Sequence, residues 1–395
     1  MPSNSRSAAS QTSLICFLIA VILFLGTGAF AASGRYVLYV GTYTQGESKG
    51  IYAYRFDDST GKLSEIGLAA ETENPSFLTV DHAAKFLYAV NELQKYKGEA
   101  TGAVTSFAVD HSNWKLKPLN QVASGGADPC YISLDRSGQY LLVANYTGGT
   151  VSVIPVSLDG HLSPASSVLK DEGALGPVKD RQETAHAHFI EASARNRFAY
   201  VSDLGLDRVL IYKFDAAKGI LSRGQPEDSF SAKLAPGTGP RHIAFSADGK
   251  FMYVLGEIDS TVTVFANEGK ESYHAIQKIS ALPADFKGEN TAAEIAIHPN
   301  GKFLYTSNRG DDNSIAVFAI DKSTGRLTFV QHVPSGGKTP RHFAITPDAS
   351  RLLAANEDSG NVVEFTIDKM TGKLTETGEV AKVPHPVCLV FVPAD

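Results

Sequence analysis

One strand-turn-strand signature recurs along the chain, and its period constrains the fold more than any other feature. Pro240-Arg241-His242-Ile243-Ala244-Phe245-Ser246-Ala247-Asp248-Gly249-Lys250-Phe251-Met252-Tyr253-Val254 shows the unit: an alternating apolar run, an Asp-Gly turn and a second apolar run, the pattern of a β-hairpin. A third run follows at Thr261 to Phe265, so each unit holds at least three antiparallel strands. The residue after the second strand falls at Thr42, Asn91, Asn145, Asp203, Gly256, Asn308 and Asn356, in steps of 49, 54, 58, 53, 52 and 48 residues. Seven units of this kind, with Gly-rich turns and no 3.6-residue periodicity, predict an all-β, seven-bladed propeller. Arg35 to Thr42 is a second strand with no first strand before it, and Pro386 to Val392 is a first strand with no second strand after it. Pairing the two closes the ring and removes exposed edges.

The N-terminus is set apart from this pattern. Arg6 precedes an apolar run from Leu14 to Leu25, and Ala29-Phe30-Ala31 offers an A-x-A cleavage site, which predicts a signal peptide over residues 1–31 and a propeller over 32–395. The expected location is the periplasm or the outside of the cell, with no membrane association after cleavage. The segment's only charge is Arg6, so the mature balance is 35 basic against 42 acidic residues, which excludes a nucleic-acid footprint. Cys130 and Cys388 remain after cleavage and fall in repeats that are not neighbours, so no disulfide framework is expected.

In a propeller the first strands line the central channel, and the start of strand one meets the end of strand two on one face. The starts supply His186, His188, Arg241, His242, Glu294, Arg341 and His342; the ends supply Asn91, Asn145, Asp203, Glu257, Asn308, Arg309, Asn356 and Glu357. Converging charge at a channel mouth marks a candidate site. The competing reading is structural: Asn caps turns, and Arg with Asp or Glu ties blades together. Strict alternation sends His242 and His342 to the strand face opposite Arg241 and Arg341, as packing or inter-strand hydrogen-bonding residues. No G-x-S-x-G, H-E-x-x-H or Cys-x-x-Cys motif is present. Neither a metal nor a cofactor is expected.

The segment His186-Ala187-His188, Asp203-Leu204-Gly205 with Asp207-Arg208, Gly239-Pro240-Arg241-His242 with Glu257 sixteen residues later, and Ser307-Asn308-Arg309 appear in order. At these residues the chain resembles the β-propeller lactonase family, which includes propeller-type 6-phosphogluconolactonases and the fungal carboxy-muconate cyclase. The resemblance spans essentially the whole mature chain. It implies a small-molecule lactone, sugar-type or carboxylated, as substrate, with His188, Arg241, Glu257 and Arg309 as the catalytic set. In that scheme His188 activates water, the two arginines hold substrate anion and oxyanion, and Glu257 orients an arginine or the water. His186, Asn91, Asn145, Asp203 and Arg341 are the expected substrate-binding residues. A non-enzymatic binding propeller and a ring-closing cyclase remain as alternatives on the same scaffold.

Overall fold

A computed structural model describes residues 35–224, 230–269 and 271–394. The expected signal peptide lies outside the described residues. Within them the chain forms seven antiparallel sheets and no α-helix. Six sheets have four strands; the fourth blade adds a short strand, Ser231–Lys233, that pairs with Arg208–Asp215 beyond Ile220–Arg223. The inner strands of blades 2 to 7 are Leu78–Val80, Pro129–Leu134, Ala187–Ala192, Pro240–Phe245, Asn290–Ile297 and Pro340–Ile345.

Blade 1 is built from both ends of the chain. Its inner strand is the C-terminal Pro386–Pro393, which pairs with Arg35–Thr42 from Tyr36↔Pro393 to Thr42↔Pro386. The closure expected from the two unmatched strands is therefore present.

Both faces of every blade are covered, so strand residues alternate between two apolar interfaces instead of between core and water. Val37 and Tyr39 pack with Leu78, Leu87 and Phe107 of blade 2, whereas Leu38 and Val40 pack with Leu353, Ala355 and Val362 of blade 7. The same arrangement repeats around the ring, with one apolar cluster between each pair of adjacent blades. This explains the unbroken apolar second strands such as Met252-Tyr253-Val254-Leu255, which carry no amphipathic signal.

The Thr-Gly turns that lead into the outer strands lock one blade to the next. Gly325 has φ +72°, and a Cβ there would lie 2.3 Å from the Phe251 ring; Gly372 has the same φ, and its Cβ would lie 2.4 Å from the Phe303 ring. In each case a buried tyrosine of the preceding blade donates to the glycine carbonyl, Tyr253 to Gly325 and Tyr305 to Gly372, both at 3.0 Å. A side chain at either position would meet both backbone strain and a ring.

One feature of the inner strands departs from the sequence reading. At the mouth end of blade 5, Pro240 pairs with Gly256 but Ile243 pairs with Val254, so three steps on one strand match two on the other. An extra residue of this kind recurs at Gly41/Thr42, Pro129/Tyr131, Ala187/Phe189, Ala292/Ile295 and Pro340/His342. A bulge breaks strict alternation, and two consecutive side chains can then face the same way.

Candidate active site

Four residues from blades 4, 5 and 6 converge on the channel mouth. His188 stands on the inner strand of blade 4, Arg241 on that of blade 5, Glu257 directly after the second strand of blade 5, and Arg309 near the end of the second strand of blade 6. Asp207 fixes the approach to Arg241: its two carboxylate oxygens accept from the N–H groups of Gly237 and Gly239, both at 2.7 Å. The Glu257 N–H then donates to the Gly239 carbonyl at 2.7 Å, so Arg241 and Glu257 are held across the same short segment.

Glu257 is the centre of the cluster. Its Oε2 lies 2.9 Å from Arg241 Nε, 3.3 Å from Arg309 Nη2 and 3.9 Å from His188 Nε2. Its Oε1 receives Arg181, a residue the sequence reading did not single out. Burial opposes ionisation of Glu257, but the guanidinium groups of Arg309, Arg241 and Arg181 outweigh it and hold its carboxyl well below the usual range. Burial lowers Arg309 to about 10, which leaves it charged at neutral pH. Burial first and Arg241 second push His188 well below 6.5, so its imidazole is neutral and able to accept a proton. Arg309 Nε is buried without a hydrogen-bond partner among the described residues.

His242 and His342 do not take the opposite face. The bulge turns His242 into the channel, where its Nε2 lies 3.3 Å from Arg241 Nη1 and its Nδ1 lies 3.1 Å from Glu294. Arginine only donates, so His242 Nε2 accepts and Nδ1–H donates to Glu294: the ring is the neutral Nδ1–H tautomer. Burial lowers His242 to about 4, consistent with that state. His342 Nε2 approaches the same Glu294 carboxylate at 3.4 Å. These three residues form a buried layer under the arginines, packed on Phe77 and Tyr131. Inter-strand hydrogen bonding is thus part of their role, as expected, but the packing is inside the channel.

The other expected binding residues divide. Arg341 reaches the mouth, where its Nη2 donates to Tyr43 Oη at 2.7 Å, and Tyr43 Oη donates to Glu92 at 2.9 Å. Beside them a depression of about 380 Å³ is lined by Tyr43, Thr44, Gln45, Glu73, Asn74 and Glu357. His186 stacks on Tyr146 at 4.4 Å and contacts Glu183 at 3.1 Å, at the rim. Asn91, Asn145 and Asp203 are not brought into the cluster. Asn91 Nδ2 donates to the Glu73 carbonyl at 2.5 Å, and Asn145 Nδ2 donates to the Ser124 carbonyl at 3.3 Å; Asn308 and Asn356 bond Ala281 and Ser335 in the same way. These asparagines tie the end of strand two to the preceding connection. Asp203 Oδ1 accepts from the His186 and Leu206 N–H groups, and burial raises its pKa and that of its neighbour Asp171.

Cys130 and Cys388 are separate, buried and free. Cys130 Sγ lies 3.7 Å from His188 Nδ1, and burial pushes its thiol far up, so it packs beside the imidazole as a neutral group.

The family described as "Lactonase, 7-bladed beta-propeller" matches residues 37–391. A 6-phosphogluconolactonase of Bacillus subtilis is 37% identical over 359 residues, covering 91% of this chain and 99% of its own. A second, from Formosa agariphila, is 34% identical over 350 residues, covering 88% of this chain and 95% of its own. The structure of a periplasmic gluconolactonase of Pseudomonas aeruginosa superposes with a TM-score of 0.85 at 36% identity, covering 91% of this chain and all of that one. Sequence, blade architecture and these likenesses agree over the whole propeller, and the chain belongs to the seven-bladed β-propeller lactonase family.

Proposed function

We propose that this lactonase opens a sugar-type or carboxylated lactone with a water activated by His188. The observation that carries the reading is a neutral imidazole 3.9 Å from an ionised carboxylate that holds three guanidinium groups at the same mouth. His188 takes a proton from water while the water oxygen attacks the lactone carbonyl. Charge develops on the carbonyl oxygen, and Arg241 and Arg309 supply donors and positive charge there. Collapse breaks the ring C–O bond, and protonated His188 returns its proton to the departing alkoxide, giving a hydroxy acid. Lactones are reactive esters, so positioning and one base meet the need without a covalent nucleophile. Glu257 serves to orient arginines rather than water, because each of its oxygens already faces a guanidinium.

The named relatives are lactonases, which favours hydrolysis over both ring closure and binding alone. The periplasmic setting of the P. aeruginosa protein agrees with the signal peptide expected at residues 1–31, and we place this enzyme outside the cytoplasm on that basis.

The test is acid release from a panel of lactones. His188→Ala should lower kcat by about 10²- to 10⁴-fold. Arg241→Ala should also raise KM, and Arg241→Lys should restore only part of the loss. Wild-type rates in both alanine variants would remove the catalytic assignment.

A further inference from the structure

Arg181 lies outside the sevenfold repeat, in the connection from Ser167–Lys170 of blade 3 to Ala187–Ala192 of blade 4. The connection is fastened rather than loose. Gln182 is 1% exposed; its Nε2 donates to the Leu204 carbonyl at 2.8 Å and its Oε1 accepts from Val178 N–H at 3.1 Å. Gly176 N–H donates to the Gly205 carbonyl at 2.8 Å, and a Cβ on Gly176 would lie 2.1 Å from the Gln182 amide. Arg181 therefore projects from a fixed backbone, and its guanidinium lies beside the Tyr146 side chain.

The charge balance around Glu257 is uneven. Three guanidinium groups face one carboxylate and His188 is neutral, which leaves a surplus of two positive charges. Arg241 and Arg309 are 3% and 11% exposed, whereas Arg181 is 35% exposed, so the surplus is accessible chiefly through Arg181. On the other side of the mouth Glu73 and Glu357 line the depression beside Tyr43, and Glu92 faces the same tyrosine. The cation there, Arg341, is engaged by Tyr43 and outnumbered by these carboxylates, so that side disfavours an anion. Arg181 and His188 face the two oxygens of one carboxylate, so both border the same part of the mouth.

We propose that Arg181 is a specificity-determining residue that selects lactones bearing an oxyanion substituent, phosphate or carboxylate, and directs that substituent to the blade 4 side of the mouth. The inference rests on the lactonase reading and assigns Arg181 a contact with the substrate beyond its contact with Glu257. A guanidinium offers two parallel N–H groups to either oxyanion.

The test compares kcat/KM for glucono-δ-lactone, its 6-phosphate and a lactone carrying a free carboxylate, in the parent, Arg181→Gln and Arg181→Lys. The parent should prefer the anionic lactones, and Arg181→Gln should reduce that preference about tenfold or more, the worth of one charge-assisted hydrogen bond. Arg181→Lys should fall between. A preference for only one of the two anionic lactones identifies the substituent. No preference in the parent, or equal losses on neutral and anionic lactones in Arg181→Gln, would overturn the proposal and leave Arg181 as a strut for Glu257. A second arm measures binding of inorganic phosphate by calorimetry, with weaker binding expected in Arg181→Gln. If no lactone is turned over, the lactonase reading fails by itself, and undiminished phosphate binding by Arg181→Gln would still refute the role given to Arg181.

Discussion

Replacing Glu257 by Gln preserves shape and removes one negative charge from a group that is only 5% exposed. Arg181, Arg241 and Arg309 then lose their common counterion. Breaking a buried ion pair from one side costs about 3–5 kcal/mol. Unfolding entropy of about 2.1 cal/mol/K per residue, over a propeller of about 360 residues, makes each kcal/mol worth about 1.3 °C, so Tm should fall by about 4–7 °C. Catalysis should fall further, by about 10²- to 10³-fold, because the guanidinium groups are no longer aimed at the developing oxyanion. The assay is differential scanning calorimetry with and without sulfate, beside acid release from a responsive lactone. Sulfate should raise the Tm of Glu257→Gln more than that of the parent, since an added dianion can replace the lost carboxylate among the arginines. A variant with parental Tm and parental sulfate response would show that Glu257 does not hold the arginines in place, and the electrostatic account of the mouth would have to be abandoned.

His242 is held at about 4, below its unfolded value near 6.5, so its contribution is complete above pH 6.5 and is lost as pH falls toward 4, amounting to about 3 kcal/mol. Tm should therefore drop over that window, and His242→Gln, which keeps a donor for Glu294 but does not titrate, should drop less; equal slopes would count against the assignment. A chain ending at Val383 loses the inner strand of blade 1 and uncovers Leu38 and Val40, so it should show no cooperative melting transition; a truncated protein that melts like the parent would refute the closure argument. The exported protein should begin near Ala32 by mass spectrometry, and recovery of only full-length cytoplasmic protein would contradict the signal-peptide reading.

The repeat was legible because hairpin chemistry is local: alternating runs around Asp248-Gly249 or Pro299-Asn300-Gly301 specify each unit without knowledge of its neighbours. Closure was legible from the two unmatched strands. Hairpin geometry also brought His188, Arg241, Glu257 and Arg309 to one place, because strand ends on one face must meet. It failed for His242 and His342, since alternation presumes an unbroken ladder and the bulge after Pro240 or Pro340 carries no obvious residue signal. Arg181 was missed for a different reason. It sits in a connection that the repeat does not contain, and its side chain bridges to Glu257 in the next blade, a pairing that no local pattern encodes. Asn91 and Asn145 lie outside the cluster: like Asn308 and Asn356, each stands at the end of a second strand and satisfies a carbonyl of the preceding connection, a need that spacing alone does not distinguish from a ligand contact.

The composite first blade also governs the order in which the protein can assemble. Blades 2 to 7 each have all their strands contiguous in sequence, so each can form from local contacts as the chain lengthens. The N-terminal hairpin is different: Tyr36 pairs locally with Phe56, but its partner on the inner edge is Pro393. Until the last residues are available, both the hairpin's inner edge and the facing surface of blade 7 stay open. Closure of the ring therefore waits on Pro386–Pro393: a chain stalled before Pro386 has an incomplete ring and retains an unpaired strand edge that a chaperone can hold.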